Sequence, residues 1–429
     1  MKLRHVVAAI AAGSMACSSG YKPSSLPEAR TTDAALVKLV NGRWFNGSRF
    51  VDQTMYMSRG VFISKPASEP DSVIDLGQRY VVPPFAEAHN HNFDASSPAT
   101  ARALVAKYVK DGVFYGQNPA NVLRAREGLA GFVNVPTGID VKFSNAALTG
   151  PGGHPLGLFL RNLSRGGMFP ADTNNTDGFI WIIYDRGDLA RKWDQILAGK
   201  PDFIKVILVY SDEYDRRLHD STTFNWRGLD PRILPEVVTR AHAAGLKVMA
   251  HVESAADFHN AVTAGVDQIG HIPGFRGDEK LQIPDFSRYL ITDDDAVRAE
   301  RQGTYVITTL GGIAGVPDSA LRRRADSLFT RNLRTLKAHR VKVIVGSDSF
   351  RDTSVPEALY LSSLGVYSNA ELLDMWSGLT PRAIFPRRRI GRLEPGYESS
   401  FLVLDADPLI DFSSVKRISL RVKQGLVLQ

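Results

Sequence analysis

Ten histidines and a single cysteine stand in a chain of 429 residues, and the positions of the histidines suggest chemistry. His89-Asn90-His91 repeats an imidazole at a period of two, so on a strand both rings point to one face and Asn90 to the other. A pair at that spacing can grip one metal ion, although His-x-His also arises by chance. Lys205 lies inside the apolar run Phe203-Ile204-Lys205-Val206-Ile207-Leu208-Val209. An ammonium there is costly unless it is paired with an acid or chemically altered. His251 follows Val248-Met249-Ala250, His271 follows Ile269-Gly270, and Asp348 follows Val345-Gly346-Ser347. Taken singly, each of these two histidines reads first as a satisfied core residue, and Asp348 as a turn or capping aspartate.

The elements that must position these side chains alternate in type. Candidate strands fall at Tyr80–His91, Gly112–Gln117, Lys142–Leu148, Phe203–Val209, Lys247–Val252, Gln268–Ile272, Tyr305–Leu310 and Lys342–Ser347. Helical periodicity marks Ala99–Lys110, Leu189–Leu197, Ile233–Ala244, Ala255–Ala264 and Asp318–His339, with Gly245 and Gly265 as helix stops. Eight strands alternating with helices predict a parallel α/β sheet, and eight is the number that closes a (β/α)8 TIM-like barrel. Such barrels build their active sites at the C-terminal strand ends. His89, His91, Lys205, His251, His271 and Asp348 all fall at or near such ends, on strands one, four, five, six and eight. Independent structural roles would not be expected to align that way. Tyr210, just past the fourth strand, can donate to a developing oxyanion or simply pack at the rim. His219, His242, His259 and His339 lie in helical or loop stretches and read as surface or packing residues. The Pro- and Gly-rich stretch 134–157 reads as a long loop around the third strand.

Both flanks of this middle are strand-like. Asn41-Gly42 and Asn46-Gly47 punctuate residues 36–82, and Pro395-Gly396, Asp407-Pro408 and Gln424-Gly425 punctuate 386–429. The two flanks are expected to pair as one small β-sandwich domain around a barrel spanning 83–385. At the N-terminus, Lys2, Arg4 and His5 precede the apolar Val6–Ala12 and then Gly13-Ser14-Met15-Ala16-Cys17. Residues 1–16 therefore read as a signal peptide. Cys17 resembles the acylated cysteine of bacterial lipoproteins, although Ser14 replaces the usual leucine and ordinary cleavage stays open. Residues 17–35 follow as a lipidated or flexible linker. The expected location is exported, in the periplasm or cell envelope, touching a membrane only through that anchor.

Composition narrows the function further. One cysteine excludes an intrachain disulfide framework and any Cys-rich zinc module. With 44% hydrophobic and 23% charged residues the chain is not a disordered one. No apolar run approaches the roughly 18–20 residues of a membrane-spanning helix. The net charge of +7 is dispersed except at Arg322-Arg323-Arg324 and Arg387-Arg388-Arg389, each read as a solvated face, and no nucleic-acid partner is expected.

The sequence resembles the metal-dependent amidohydrolase superfamily, in the branch similar to imidazolonepropionase and to Xaa-Pro and Xaa-Arg dipeptidases. The resemblance runs over about residues 36–429, in the family's order. It is carried by Tyr80-Val81-Val82-Pro83 leading to His89-Asn90-His91, and by Asp202-Phe203-Ile204-Lys205. It continues through Ala241-His242-Ala243-Ala244-Gly245-Leu246-Lys247 leading to His251, Ala264-Gly265-Val266-Asp267-Gln268-Ile269-Gly270-His271 and Gly346-Ser347-Asp348-Ser349. Leu379-Thr380-Pro381-Arg382-Ala383, Ile390-Gly391, Leu393-Glu394-Pro395-Gly396 and Leu402–Pro408 complete it. It implies an enzyme with two divalent ions, zinc first and manganese, cobalt or iron as alternatives. His89, His91 and Asp348 would hold one ion and His251 and His271 the other, bridged by a carboxylated Lys205. A metal-bridging hydroxide would attack the substrate carbonyl, with Asp348 as general base. His154, in Thr149-Gly150-Pro151-Gly152-Gly153-His154, resembles a family histidine that can reach the substrate, or it braces the loop. Pro84 and Glu87 depart from the family's usual glycine and aspartate; Glu87 shares the face of His89 and His91 and can support a ligand. The implied reaction is hydrolysis of an amide-type C–N bond in a cyclic amide or dipeptide. Deamination or ester or lactone cleavage on the same scaffold is the alternative, and a metal-binding lipoprotein without turnover is a third reading. Oligomeric state is not encoded.

Overall fold

The computed structural model describes residues 35–121, 123–158, 160, 180–274 and 286–428. The expected signal peptide and the Cys17 anchor lie outside the described residues.

The first strands are β1 (Val37–Phe45), β2 (Phe50–Ser58), β3 (Val61–Ile63) and β4 (Ser72–Val82). At Pro83-Pro84 the chain leaves this sheet and enters a series of parallel strands. These are β5 (Phe85–Glu87), β6 (Val113–Asn118), β7 (Asp140–Phe143), β8 (Ala147–Thr149), β9 (Ile180–Ile182), β10 (Ile204–Ile207), β11 (Val248–His251), β12 (Gln268–Gly270), β13 (Tyr305–Ile307) and β14 (Lys342–Ile344). The chain then returns to the first sheet with β15 (Phe401–Leu404), β16 (Ile418–Lys423) and β17 (Leu426–Val427).

Among the described residues the parallel strands fall in two sheets, β5-β6-β7 and β14-β13-β12-β11-β10-β8-β9. Backbone bonds join the two into a ring. Ala88 N–H donates to Val345 O at 2.9 Å, Asp348 N–H to His89 O at 2.7 Å and Asp202 N–H to Phe143 O at 2.7 Å. The expected third strand is interrupted at residues 144–146, so β7 pairs with β6 while β8 pairs with β10 and β9. The expected first strand, Tyr80–His91, is in fact two. Proline has no N–H for a ladder, and the pair at 83–84 ends β4 before β5 begins.

The helices fall where the periodicity placed them: Pro98–Lys110, Arg186–Ala198, Leu234–Ala243, Ala255–Ala264 and Ser319–Ala338. The helix Ala255–Ala264 shows why. Ser254 and Asp257 form a capping box, and Gly265 at φ +81° supplies the left-handed stop. The helix Asp293–Gln302 was not expected, because only Ala296 and Ala299 give it an apolar stripe in a strongly polar segment.

The outer sheet runs β17-β16-β15-β4-β1-β2-β3, so both ends of the described chain build it. Its inner face is a second core in which Trp44 packs against Phe62 and Phe401, each ring pair 5.8 Å apart. β15 divides its side chains by strand alternation. Phe401 and Val403 enter this core, and Leu402 and Leu404 enter the larger one beneath the parallel strands. Among the described residues no helix is long and apolar enough to cross a membrane.

Candidate active site

His89 and His91 follow β5, His251 closes β11, His271 follows β12 and Asp348 follows β14, so five of the expected residues gather at the C-terminal ends of the ring. Lys205, second in β10, reaches the same place. An ideal Cβ on Gly270 would lie 2.9 Å from the His89 ring and 3.1 Å from Lys205 Nζ. Gly346 meets a similar limit, with a Cβ only 2.7 Å from the His89 backbone nitrogen. Glycine at these two points lets strands six and eight close on the His89 side chain.

The cluster is continuous. Asp348 Oδ1 lies 3.0 Å from His91 Nε2 and 3.4 Å from His89 Nε2. One ligand atom from each of His89, His91 and Asp348 falls within 4.8 Å of the others, so the three can hold a metal ion. The His89 and His271 rings are 4.5 Å apart, His271 and His251 4.4 Å, and His251 and His154 5.0 Å. The glycine-rich loop thus brings His154 to the cluster rather than leaving it as a brace alone.

Electrostatics at His89 and Lys205 favour their neutral forms. Burial, then the neighbouring Lys205, His271 and His91, hold the His89 imidazole well below its ordinary pKa. Burial brings Lys205, 2% exposed, down to about 7 against the opposing pull of Asp348. His89 Nδ1 is buried with no hydrogen-bond partner among the described residues. Imidazole nitrogens, one of them held neutral at His89, an amine with a pKa of about 7 and one carboxylate form a donor set that suits a borderline divalent cation.

Supporting contacts fix these side chains. Glu87, fully buried, accepts from His89 N–H at 3.0 Å and Ser347 N–H at 2.9 Å, and from the Ser347 hydroxyl and Asn90 amide. It therefore ties the end of β5 to the loop that carries Asp348, and burial raises its carboxyl to about 8. His271 Nδ1 lies 2.8 Å from Thr309 Oγ1, and His91 Nδ1 lies 3.2 Å from Ala120 O. Sequence reasoning missed Glu253, whose Oε1 sits 3.2 Å from His251 Nε2 with both residues buried. A signal existed, since Glu253 follows His251 by two, the spacing that puts extended residues on one side of the chain, although β11 ends at His251. Thr309 carried none, because its contact with His271 spans two strands.

Tyr210 takes a left-handed backbone at φ +50° just past β10. Its ring is flanked by the guanidinium groups of Arg217 at 4.2 Å and Arg288 at 4.4 Å. Its hydroxyl lies 3.4 Å from that of Tyr289, and burial keeps the phenol protonated. Of the histidines set aside, His242, His259 and His339 pair with Asp267, Asp295 and Asp293 outside the cluster. His219 caps a short helix.

Neither a family model nor a curated protein matches the sequence. Solved structures match it closely in backbone. A prolidase complexed with N-methylphosphonate-L-proline matches with a TM-score of 0.67 and 17% identity, over 92% of this chain and 99% of that one. An Xaa-Pro dipeptidase with bound methionine gives 0.68 and 16%, over 92% and 100%. Molinate hydrolase gives 0.69 and 14%, over 93% and 96%. The chain shares the α/β fold of these hydrolases.

Proposed function

We propose that the protein is a metal-dependent hydrolase of the amidohydrolase superfamily, a (β/α)8 barrel that cleaves an amide-type C–N bond in a cyclic amide or dipeptide. The convergence of His89, His91 and Asp348 on one point at the strand ends, with Lys205, His251 and His271 beside it, carries the reading. The hydrolases that share the fold support it. His89, His91 and Asp348 would hold one divalent ion, and His251 and His271 a second, zinc being the first expectation. Lys205, its pKa brought to about 7 by burial, can take up carbon dioxide as the neutral amine with loss of a proton, and the resulting carbamate would be an anionic metal ligand.

Bound ions would supply water activation and carbonyl polarisation. The chain supplies the rest. Asp348, a quarter exposed beside the buried His89, takes the proton of the attacking water on its carboxylate and passes it to the leaving nitrogen. His154 contacts the substrate next to His251, and the protonated Tyr210 hydroxyl donates to the developing oxyanion.

Metal analysis of protein purified without chelator should find about two ions per chain. That protein should hydrolyse members of a panel of dipeptides, lactams and lactones, and the amine, ammonia or alcohol released identifies the bond. Asp348→Asn should lower turnover by about a thousandfold. A folded, metal-free protein, or an Asp348→Asn variant of undiminished rate, would overturn the mechanism.

A further inference from the structure

The histidine cluster is not covered equally on all sides. His89 and His251 are buried, whereas the side chains of His91 and Asp348 are 18% and 24% exposed. Among the described residues the cluster therefore opens to solvent beside His91 and Asp348. Phe350, two residues after Asp348, stands at that opening. It is 57% exposed, and its ring stacks on the His91 imidazole with centroids 5.2 Å apart and planes 19° from parallel.

A single exposed phenyl is ordinary on a loose loop. The loop that carries Phe350 is tied on both sides. Before it, His91 N–H donates to Ser349 O at 3.0 Å. After it, the carbonyl of Asp352 accepts from the Asn90 amide at 2.8 Å and from the Asn92 amide at 3.0 Å. The Ser349 hydroxyl spans the turn, accepting from the N–H groups of Arg351 at 3.0 Å and Asp352 at 2.8 Å. Segment 90–92 thus fixes the backbone on either side of Phe350 and also carries His91, so ring and imidazole keep their relation. The stack on His91 covers only part of the phenyl, and more than half of the residue stays open to solvent. An aromatic ring held this way offers contact area to a flat apolar group at little cost in ordering.

We propose that Phe350 selects the substrate by seating an aromatic ring carried close to the scissile carbonyl. Aryl-bearing amides are then favoured over those with a small aliphatic group at that position. The proposal rests on the metal-dependent hydrolase reading of the cluster. It gives Phe350 a contact with substrate rather than a role as a brace for His91, and the two roles separate in binding.

Calorimetric titration of the zinc-reconstituted protein with benzylphosphonate and with methylphosphonate tests it without turnover. Both ligands present the same oxygens to the ions and differ by the ring. The wild type is expected to bind benzylphosphonate about fivefold more tightly. Phe350→Ala, at an exposed position, should bring the two affinities together while binding methylphosphonate as the wild type does. Equal affinities in the wild type, or a preference that survives in Phe350→Ala, would overturn the proposal. Weakening of both ligands in step in Phe350→Ala would also overturn it, by making Phe350 a brace for His91. If neither phosphonate binds the zinc-reconstituted wild type, the metal-centre reading falls and the proposal falls with it.

Discussion

Gly270 meets the His89 ring on one side and the Lys205 amine on the other, so any side chain there must displace one of them. Gly270→Ala is expected to keep the fold, because its backbone is not in the left-handed region, while moving His89 or Lys205. Metal affinity should fall by roughly tenfold or more, the scale seen when the support of a ligand is disturbed. A competition titration with a chromophoric chelator measures this, and full affinity in a folded Gly270→Ala protein would contradict the assignment. At this scale the chemical types were legible from sequence, because histidine, lysine and aspartate at strand ends are conspicuous against apolar runs. The partners were less so. Glu87 could be placed on the His89 face by period two, whereas its contact with Ser347 joins residues far apart in sequence and appears only when the ring closes.

Beyond β10 a short helical segment carries a charge cluster that Tyr210 depends on. Glu213 accepts from Arg217 Nε at 2.7 Å and lies 2.8 Å from Arg288, the two guanidinium groups that flank the Tyr210 ring. Burial alone would raise the Glu213 carboxyl, but Arg217 and Arg288 outweigh it and bring the pKa down from 4.5 to about 2. A depressed folded pKa stabilises the native state above pH 4.5, and that contribution is lost as pH falls toward 2. Glu213→Gln should therefore melt lower than wild type at neutral pH, by a margin that narrows between pH 4.5 and 2. Scanning calorimetry of both proteins across that range decides it; parallel curves would remove the cluster from the stability of this segment. Element types and helix bounds were legible because caps and periodicity are local signals. The breaks in strands one and three were not, since pairing partners decide where a ladder ends. Pro83-Pro84 was the one local clue.

Across the molecule, the junction between the outer sheet and the parallel strands is held by a buried ion network. Lys423, at the end of β16, donates to Asp140 Oδ1 at 2.8 Å and to the carbonyls of Val135 and Gly138 at 2.9 Å. Arg388 binds the other oxygen of Asp140 and reaches Glu398. Lys423→Met would leave those carbonyls without a donor, and a loss on the order of 2–4 kcal/mol is expected in urea unfolding. A cost near zero would show that the junction rests on apolar packing alone. The joining of the two strand-rich flanks was legible from turn signals and β-formers. The order of strands within the sheet, and the buried lysine that locks it, were not.

That same sheet governs the order in which the protein can be made. β4 pairs with β1 early in the chain, yet its other neighbour is β15, through Leu402 opposite Val82 and Leu404 opposite Tyr80. Until β15, more than three hundred residues beyond β4, emerges from the ribosome, β4 has an open edge and the core beneath the parallel strands lacks Leu402 and Leu404. Contacts between such distant positions close slowly. The core beneath the parallel strands is thus completed only once β15 has been made, and a nascent chain stalled before β15 would carry its histidine cluster on an incomplete scaffold.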